Sequence, residues 1–175
     1  MQDYQIILLV LLLLAFLYIA VLIYVFSNVR EFQARLKRRE RALMILMNEK
    51  TDLLLGICEL FRLSKVSLSP EDKRAIDALE ELRFDKIGTD IVKKTSATIK
   101  DARSHIEYVI QSNNWLKNDL RISAYRETFE ELDHNYRQSA AIYNSDVGGY
   151  MYWFQMPTCV LVLMMLGYRK RETIN

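Results

Sequence analysis

The chain has 175 residues, with 24 Lys and Arg against 22 Asp and Glu, so its formal net charge is only +2. A chain of this length accommodates one domain and an anchor, and it excludes a large two-domain enzyme. Its five glycines and two prolines are too few for the tight turns, phosphate loops and β-barrels that depend on those residues.

An apolar segment without charge, proline or glycine occupies residues 6–26. A helix of this length extends about 30 Å, which is the thickness of the hydrocarbon core of a bilayer. A signal peptide is the alternative, but residues 1–5 contain no Lys or Arg and the segment exceeds the 7–15 residues typical of a signal-peptide core. Residues 1–26 are therefore predicted to form a short outside N-terminus and a transmembrane helix.

Six basic residues follow this segment: Arg30, Arg35, Lys37, Arg38, Arg39 and Arg41. Because basic residues near a span stay in the cytoplasm, the N-terminus is predicted to lie outside and the bulk of the chain inside. The six side chains are also predicted to contact the membrane surface, where each cation contributes about 1 kcal/mol. A solvated helix face is the alternative explanation of the cluster.

Residues 27–149 are predicted to form a cytoplasmic helical bundle. Apolar residues from Val29 to Leu60 recur at spacings of three and four, as in a coiled coil, with Arg39 and Lys50 at two positions of the stripe. The transmembrane helix is therefore expected to continue without a break to about Leu63.

A second helix is predicted to begin at Ser69, with Pro70 in its first turn, and to end near Asp85, with Gly88 as its stop. Two further helices are predicted over residues 89–112 and 115–146. Asn114 is expected to cap the last of them, and the pair Gly148-Gly149 to end it.

The last helix is expected to contribute four packing residues: Phe129, Leu132, Tyr136 and Tyr143. No segment shows the alternation typical of strands. The predicted fold is therefore all-α, with an N-terminal transmembrane helix that continues into an elongated antiparallel helical bundle.

Residues 150–175 contain a second uncharged run, at 150–168, followed by a basic tail. Gln155, Pro157 and Thr158 interrupt its apolar character, and a second span would carry the basic tail outward. We expect the run to pack on the bundle or lie in the membrane interface, although a second span stays open. With two spans, the bundle would become a periplasmic ligand-sensing domain.

No arrangement of residues indicates catalysis, a cofactor, a metal site or nucleic-acid binding. His105 can share a helix face with Asp101, but two ligands are too few for zinc. Cys58 and Cys159 lie in apolar surroundings and are expected to behave as small hydrophobic residues. The protein is therefore predicted not to be an enzyme.

Several short motifs resemble those of the LemA family of bacterial membrane proteins. They are Leu36-Lys37-Arg38-Arg39, Asp52-Leu53-Leu54-Leu55, Arg121-Ile122-Ser123, Tyr136 with Tyr143-Asn144, and Met156-Pro157 with Gly167-Tyr168. The gap between the first two motifs is longer than in the family, and the family's central Ala-Trp pair is absent. The resemblance implies a single-span helical bundle at the bacterial inner membrane and brings no catalytic residue.

The predicted role is structural, scaffolding or protein-interacting. The expected partners are the lipid bilayer and a protein partner or a second copy of the chain, bound through helix packing. The alternative is a two-span protein with a periplasmic ligand-sensing bundle.

Overall fold

The structure is a computed structural model that describes residues 2–82, 84 and 88–174. Within these residues the fold is entirely helical, which confirms the predicted all-α class. The helices are α1 (Gln2–Leu63), α2 (Pro70–Glu80), α3 (Thr89–Ser112), α4 (Asn114–Lys117), α5 (Leu120–Tyr152) and α6 (Pro157–Met165).

The chain divides into two compact units, and α1 and α5 each contribute to both. The first unit comprises Met1–Lys37 and Ser145–Glu172, and the second comprises Arg38–Asn144 and Thr173–Asn175. The predicted continuation of the N-terminal apolar helix to Leu63 is confirmed.

Of the two charged positions in the predicted stripe of α1, the structure buries one, and the predicted stripe residues Leu46 and Leu53 are half-buried beside the buried Met47 and Leu54. Lys50 is buried as expected, but Arg39 is exposed and Glu40 is buried in its place, with 2% of its surface exposed. Spacing alone allows either residue between Leu36 and Leu43, and the hydrogen bond from Tyr143 to the Glu40 carboxylate favours Glu40 in the core.

Helix α2 begins as predicted and ends sooner. The Ser69 hydroxyl accepts a hydrogen bond from the Asp72 backbone N–H, and the Asp72 carboxylate accepts one from the Ser69 N–H, both at 3.1 Å, which completes a capping box. The helix ends at Glu80 because its buried face stops at Leu79. The predicted end at Asp85 lies outside the described residues, and Gly88 precedes α3 instead of stopping α2.

The predicted fourth bundle helix is divided in the structure. Asn114 is the first residue of the short α4 rather than a cap. Helix α5 has a cap of its own, because the Asp119 carboxylate accepts a hydrogen bond from the Arg121 backbone N–H at 2.8 Å. The acid two residues before Arg121 was the sequence signal for this second start.

The prediction that Gly148 and Gly149 end this helix is wrong, because α5 continues to Tyr152. A Cβ atom added at Gly149 would lie 2.8 Å from a ring carbon of Phe32, whereas one added at Gly148 would meet nothing within 4 Å. Gly149 therefore permits close packing against α1 and does not act as a helix stop.

Two contacts show that α1 and α5 run antiparallel within the second unit. Lys50 Nζ lies 2.6 Å from Asp133 Oδ1, and Tyr143 Oη donates to Glu40 Oε1 at 3.2 Å. Helix α2 packs on α3. The Asn144 side chain bonds both the backbone N–H and the carbonyl of Ile174, at 2.8 and 2.7 Å, and so holds the C-terminal tail.

The four expected packing residues of α5 are not equally buried. Phe129 and Tyr143 are buried, whereas Leu132 and Tyr136 are only half-buried. Residues 150–168 do not form one helix, since α5 ends at Tyr152 and α6 has nine residues. At about 1.5 Å per residue, α6 extends only about 14 Å.

Candidate membrane-contacting surface and interior sites

The N-terminal part of α1 exposes nearly all of its apolar side chains. Between Tyr4 and Val21, each large apolar residue is between 47% and 81% exposed. Burying one such side chain contributes about 1.5–3 kcal/mol, so a surface of this extent is unfavourable in water. Among the described helices, α1 is the one long and apolar enough to cross a membrane.

Aromatic contacts within the first unit lie where this uncharged segment ends. Tyr24 meets Trp153 edge to face, with ring centroids 6.3 Å apart, and Phe26 meets Tyr168 in the same manner at 6.0 Å. Tyr and Trp favour the headgroup level of a bilayer, where one side of the ring is apolar and the other is wet. This cluster is therefore suited to the edge of a membrane.

The six predicted membrane-surface residues, from Arg30 to Arg41, are all exposed on α1. With 3.6 residues per turn, they cover an arc of about 200° around the helix and leave only the buried stripe uncovered. Arg35 forms an i,i+4 ion pair with Glu31, and that hydrogen bond and charge raise the pKa of Arg35.

A cavity of about 310 Å³ lies between α1, α3 and α5 in the second unit. Four of its lining side chains are cationic and one is anionic: Lys50, Lys100, Arg103, Arg137 and Asp133. Two aromatic rings complete the site, with Lys50 Nζ 4.6 Å from the centroid of Tyr136 and the Arg103 guanidinium 4.2 Å from that of Phe129. The surplus of cations makes the cavity chemically suited to an anion.

Burial and pairing together set the pKa values of Lys50 and Asp133. Burial lowers the pKa of Lys50, and its bond to Asp133 only partly opposes this shift. Burial alone would raise the pKa of Asp133, but the hydrogen bonds and charges of Lys50 and Arg137 outweigh it, and the pKa is lowered. The pair is therefore maintained in its ionised form by mutual contact.

His105 pairs with an acid that the sequence did not indicate. Its Nδ1 lies 2.9 Å from Asp72 Oδ1, so the partner is on α2 and not Asp101. The same Asp72 carboxylate caps α2 through Ser69. Burial would raise the pKa of Asp72, but its bonds to Ser69 and His105 lower it.

Asp72 and His105 do not reach the number of ligands a metal requires. Within the described part of the chain, no group of three or more His, Cys, Asp or Glu side chains is arranged to hold a metal ion. Both cysteines are buried, and burial raises the pKa of Cys58 to about 11. A thiol with such a pKa is poorly nucleophilic at neutral pH.

A hydrogen-bonded group joins α1, α3 and α5 in the second unit. Tyr143 donates to the buried Glu40 carboxylate, and the Thr89 hydroxyl lies 3.2 Å from Tyr143 Oη. Such a network explains how a carboxylate can occupy the core, because it supplies the hydrogen bonds lost with water.

No protein-family model, curated protein or solved structure matches this chain.

Proposed function

We propose that the protein is a LemA-like, single-pass membrane protein whose helical bundle serves a structural or protein-interaction role. Its N-terminus lies outside, the bundle lies in the cytoplasm, and the membrane is the bacterial inner membrane. The observation that carries the proposal is the exposed apolar surface of α1 between Tyr4 and Val21, on a helix that continues without interruption to Leu63.

The orientation is supported by the charge next to the span. Six exposed cations, from Arg30 to Arg41, follow the uncharged segment, and Lys and Arg at such positions favour the cytoplasmic side. Their arc around α1, outside the buried stripe, also suits contact with anionic headgroups. Arg30 is nearest to the span and is the first of the six expected to touch lipid.

The proposed location at the bacterial inner membrane rests on the motif resemblance to the LemA family. Those motifs lie on α1, at the start and in the middle of α5, and around α6, so they extend over both units. The proposed role is non-catalytic, and helix packing binds a protein partner or a second copy.

Topology is tested by cysteine labelling in intact cells. Cys58 and Cys159 are replaced by Ala, and Ser67, which is exposed in the loop between α1 and α2, is changed to Cys. We expect a membrane-impermeant maleimide to label Ser67→Cys only after lysis. A cysteine added ahead of Met1 is the matched control and should be labelled in intact cells. The opposite pattern would place the bundle outside.

A second candidate function is ligand sensing by the bundle, and the cationic cavity around Lys50 favours it. The cavity is large enough for a small dicarboxylate or phosphate compound, and four cations surround it. Small-molecule sites of about 300–1,000 Å³ with a few placed polar groups are typical of ligand-binding proteins.

Thermal unfolding of the detergent-solubilised protein tests this candidate, with inorganic phosphate, pyrophosphate and citrate as probes and chloride at equal ionic strength as the control. A ligand-specific rise in Tm should be lost in Lys100→Gln, whose side chain lines the cavity. It should persist in Lys94→Gln, an exposed site on the same helix. Equal responses in both variants would exclude the cavity as the site.

A further inference from the structure

Helix α6 is joined to α1 at both of its ends within the first unit. Trp153, which precedes α6, contacts Tyr24, and Tyr168, which follows it, contacts Phe26. The Tyr150 hydroxyl donates to the Arg169 carbonyl at 2.8 Å and closes the base of this segment. The chain therefore leaves α5, forms α6 and returns to the same level of α1.

That level is the end of the uncharged segment. Phe26 is its last residue, and Arg30 is the first cation beyond it. Tyr24 and Phe26 are only two residues apart on α1, which corresponds to about 3 Å along the helix axis. Both ends of α6 thus lie at the depth where the span is predicted to meet the headgroups.

The described side chains of α6 differ in exposure but not in polarity. Cys159 and Leu163 are buried, with 3% and 1% of their surfaces exposed. On the opposite face the described side chains are apolar and exposed: Leu161 at 70%, Met164 at 52% and Met165 at 88%. A surface helix of a soluble bundle would carry polar residues on this face.

We infer that α6 is a second membrane element, which lies in the interface of the same leaflet in which the span ends and inserts its exposed face, with Leu161, Met164 and Met165, among the acyl chains. The partner is the lipid bilayer itself. This inference rests on the proposed span, because the depth of α6 is set by its contacts with Tyr24 and Phe26.

The lipid is favoured over a protein partner by continuity and by charge. The segment that carries α6 contacts Tyr24 and Phe26, which lie at the end of the exposed apolar surface of α1. Arg169 and Lys170, both exposed, lie four and five residues after the end of α6 and can reach anionic headgroups. Nine residues are too few to cross the bilayer, so the helix must stay within one leaflet.

The experiment is depth-dependent fluorescence quenching of the full chain in lipid nanodiscs. In the background without Cys58 and Cys159, an environment-sensitive fluorophore is attached to Met165→Cys. Phe16→Cys, in the span, and Ser67→Cys, in the loop after α1, serve as controls. Nanodiscs contain lipids brominated either near the headgroup or near the acyl-chain terminus.

We expect several-fold stronger quenching at residue 165 by the shallow than by the deep bromines, since interfacial helices lie about 5–10 Å below the headgroups. Phe16→Cys should favour the deep bromines, and Ser67→Cys should respond to neither. No quenching at 165 with strong quenching at 16 would overturn the inference but leave the span intact. Preferential deep quenching at 165 would also overturn it, and no quenching at 16 would overturn the proposed span.

Discussion

The two units of the molecule differ in the side chains that they expose and bury. In the first unit, apolar residues such as Leu9 and Met165 are exposed over most of their surface, at 68% and 88%. In the second, charged and polar residues are buried: Glu40, Lys50, Thr51, Asp72 and Thr95. Under the proposed topology, this difference reflects the medium around each unit, since hydrocarbon would surround the exposed apolar side chains of the first and hydrogen bonds replace water for the buried polar groups of the second.

The largest effect is expected at the buried ion pair of the second unit. Asp133→Asn should lower the free energy of unfolding by about 3 kcal/mol, because it leaves Lys50 charged and uncompensated in the core. Lys50→Met should cost less, because Asp133 keeps its ion pair with Arg137. Denaturant unfolding in detergent measures both values.

Arg137→Gln is the control for this pair, since 79% of its side chain is exposed and exposed ion pairs contribute about 0–1 kcal/mol. If Asp133→Asn and Arg137→Gln were equally mild, the buried charge would not depend on its partner, and the contrast between the units would lose its main support.

The paired glycines of α5 test packing in the first unit. Gly148→Ala should stabilise the protein by about 0.5–1 kcal/mol, because alanine is the better helix former and its Cβ meets no neighbour. Gly149→Ala should lose this gain and cost about 1 kcal/mol, since its Cβ forces the Phe32 ring to move. Thermal unfolding of the two variants in parallel measures the difference, and identical shifts would argue against the close contact with α1.

The Asp72 site predicts how the stability of the second unit depends on pH. Since the pKa of Asp72 is lowered from its ordinary value of 3.8, its contribution is complete above that value and is lost as the pH falls through the lowered pKa. Asp72→Asn should cost about 1 kcal/mol at neutral pH through the weakened cap and the altered hydrogen bond to His105. It should also flatten the dependence of stability on pH below 4.

Asp101→Asn is the matched control, because Asp101 is exposed and is not the partner of His105. Below pH 4, the free energy of unfolding of this variant should depend on pH as it does in the unaltered protein. If Asp72→Asn still lost stability below pH 4 as the unaltered protein does, the pH dependence would belong to other carboxylates.

The smallest effect concerns the thiol of Cys58 and leaves stability unchanged. A pKa near 11, against an ordinary value of 9.0, reduces the thiolate fraction at neutral pH by about 100-fold. Alkylation in Cys159→Ala should therefore be slow until denaturant is added, when it should reach the rate of a free thiol. Fast alkylation of the folded protein would mean that the core around Cys58 opens readily.

Much of the fold followed from signals between residues that are close in the chain. Ser69 with Asp72 indicated the start of α2, the uncharged run at 6–26 indicated a span, and the periodicity after Val29 indicated that α1 continues. These signals are readable because a cap and a helix stripe each depend on residues only three or four positions apart.

The amino-acid sequence by itself determined that the protein is helical, that its N-terminal helix has the length and composition of a membrane span, and where α2 and α3 begin. Only the tertiary structure decided that Glu40 is buried beneath Tyr143, 103 residues away, that His105 pairs with Asp72, and that Gly149 admits Phe32. It also decided that α6 folds back to α1. The physical reason is that these features depend on side chains from distant parts of the chain, and their pairing becomes defined only when the helices pack.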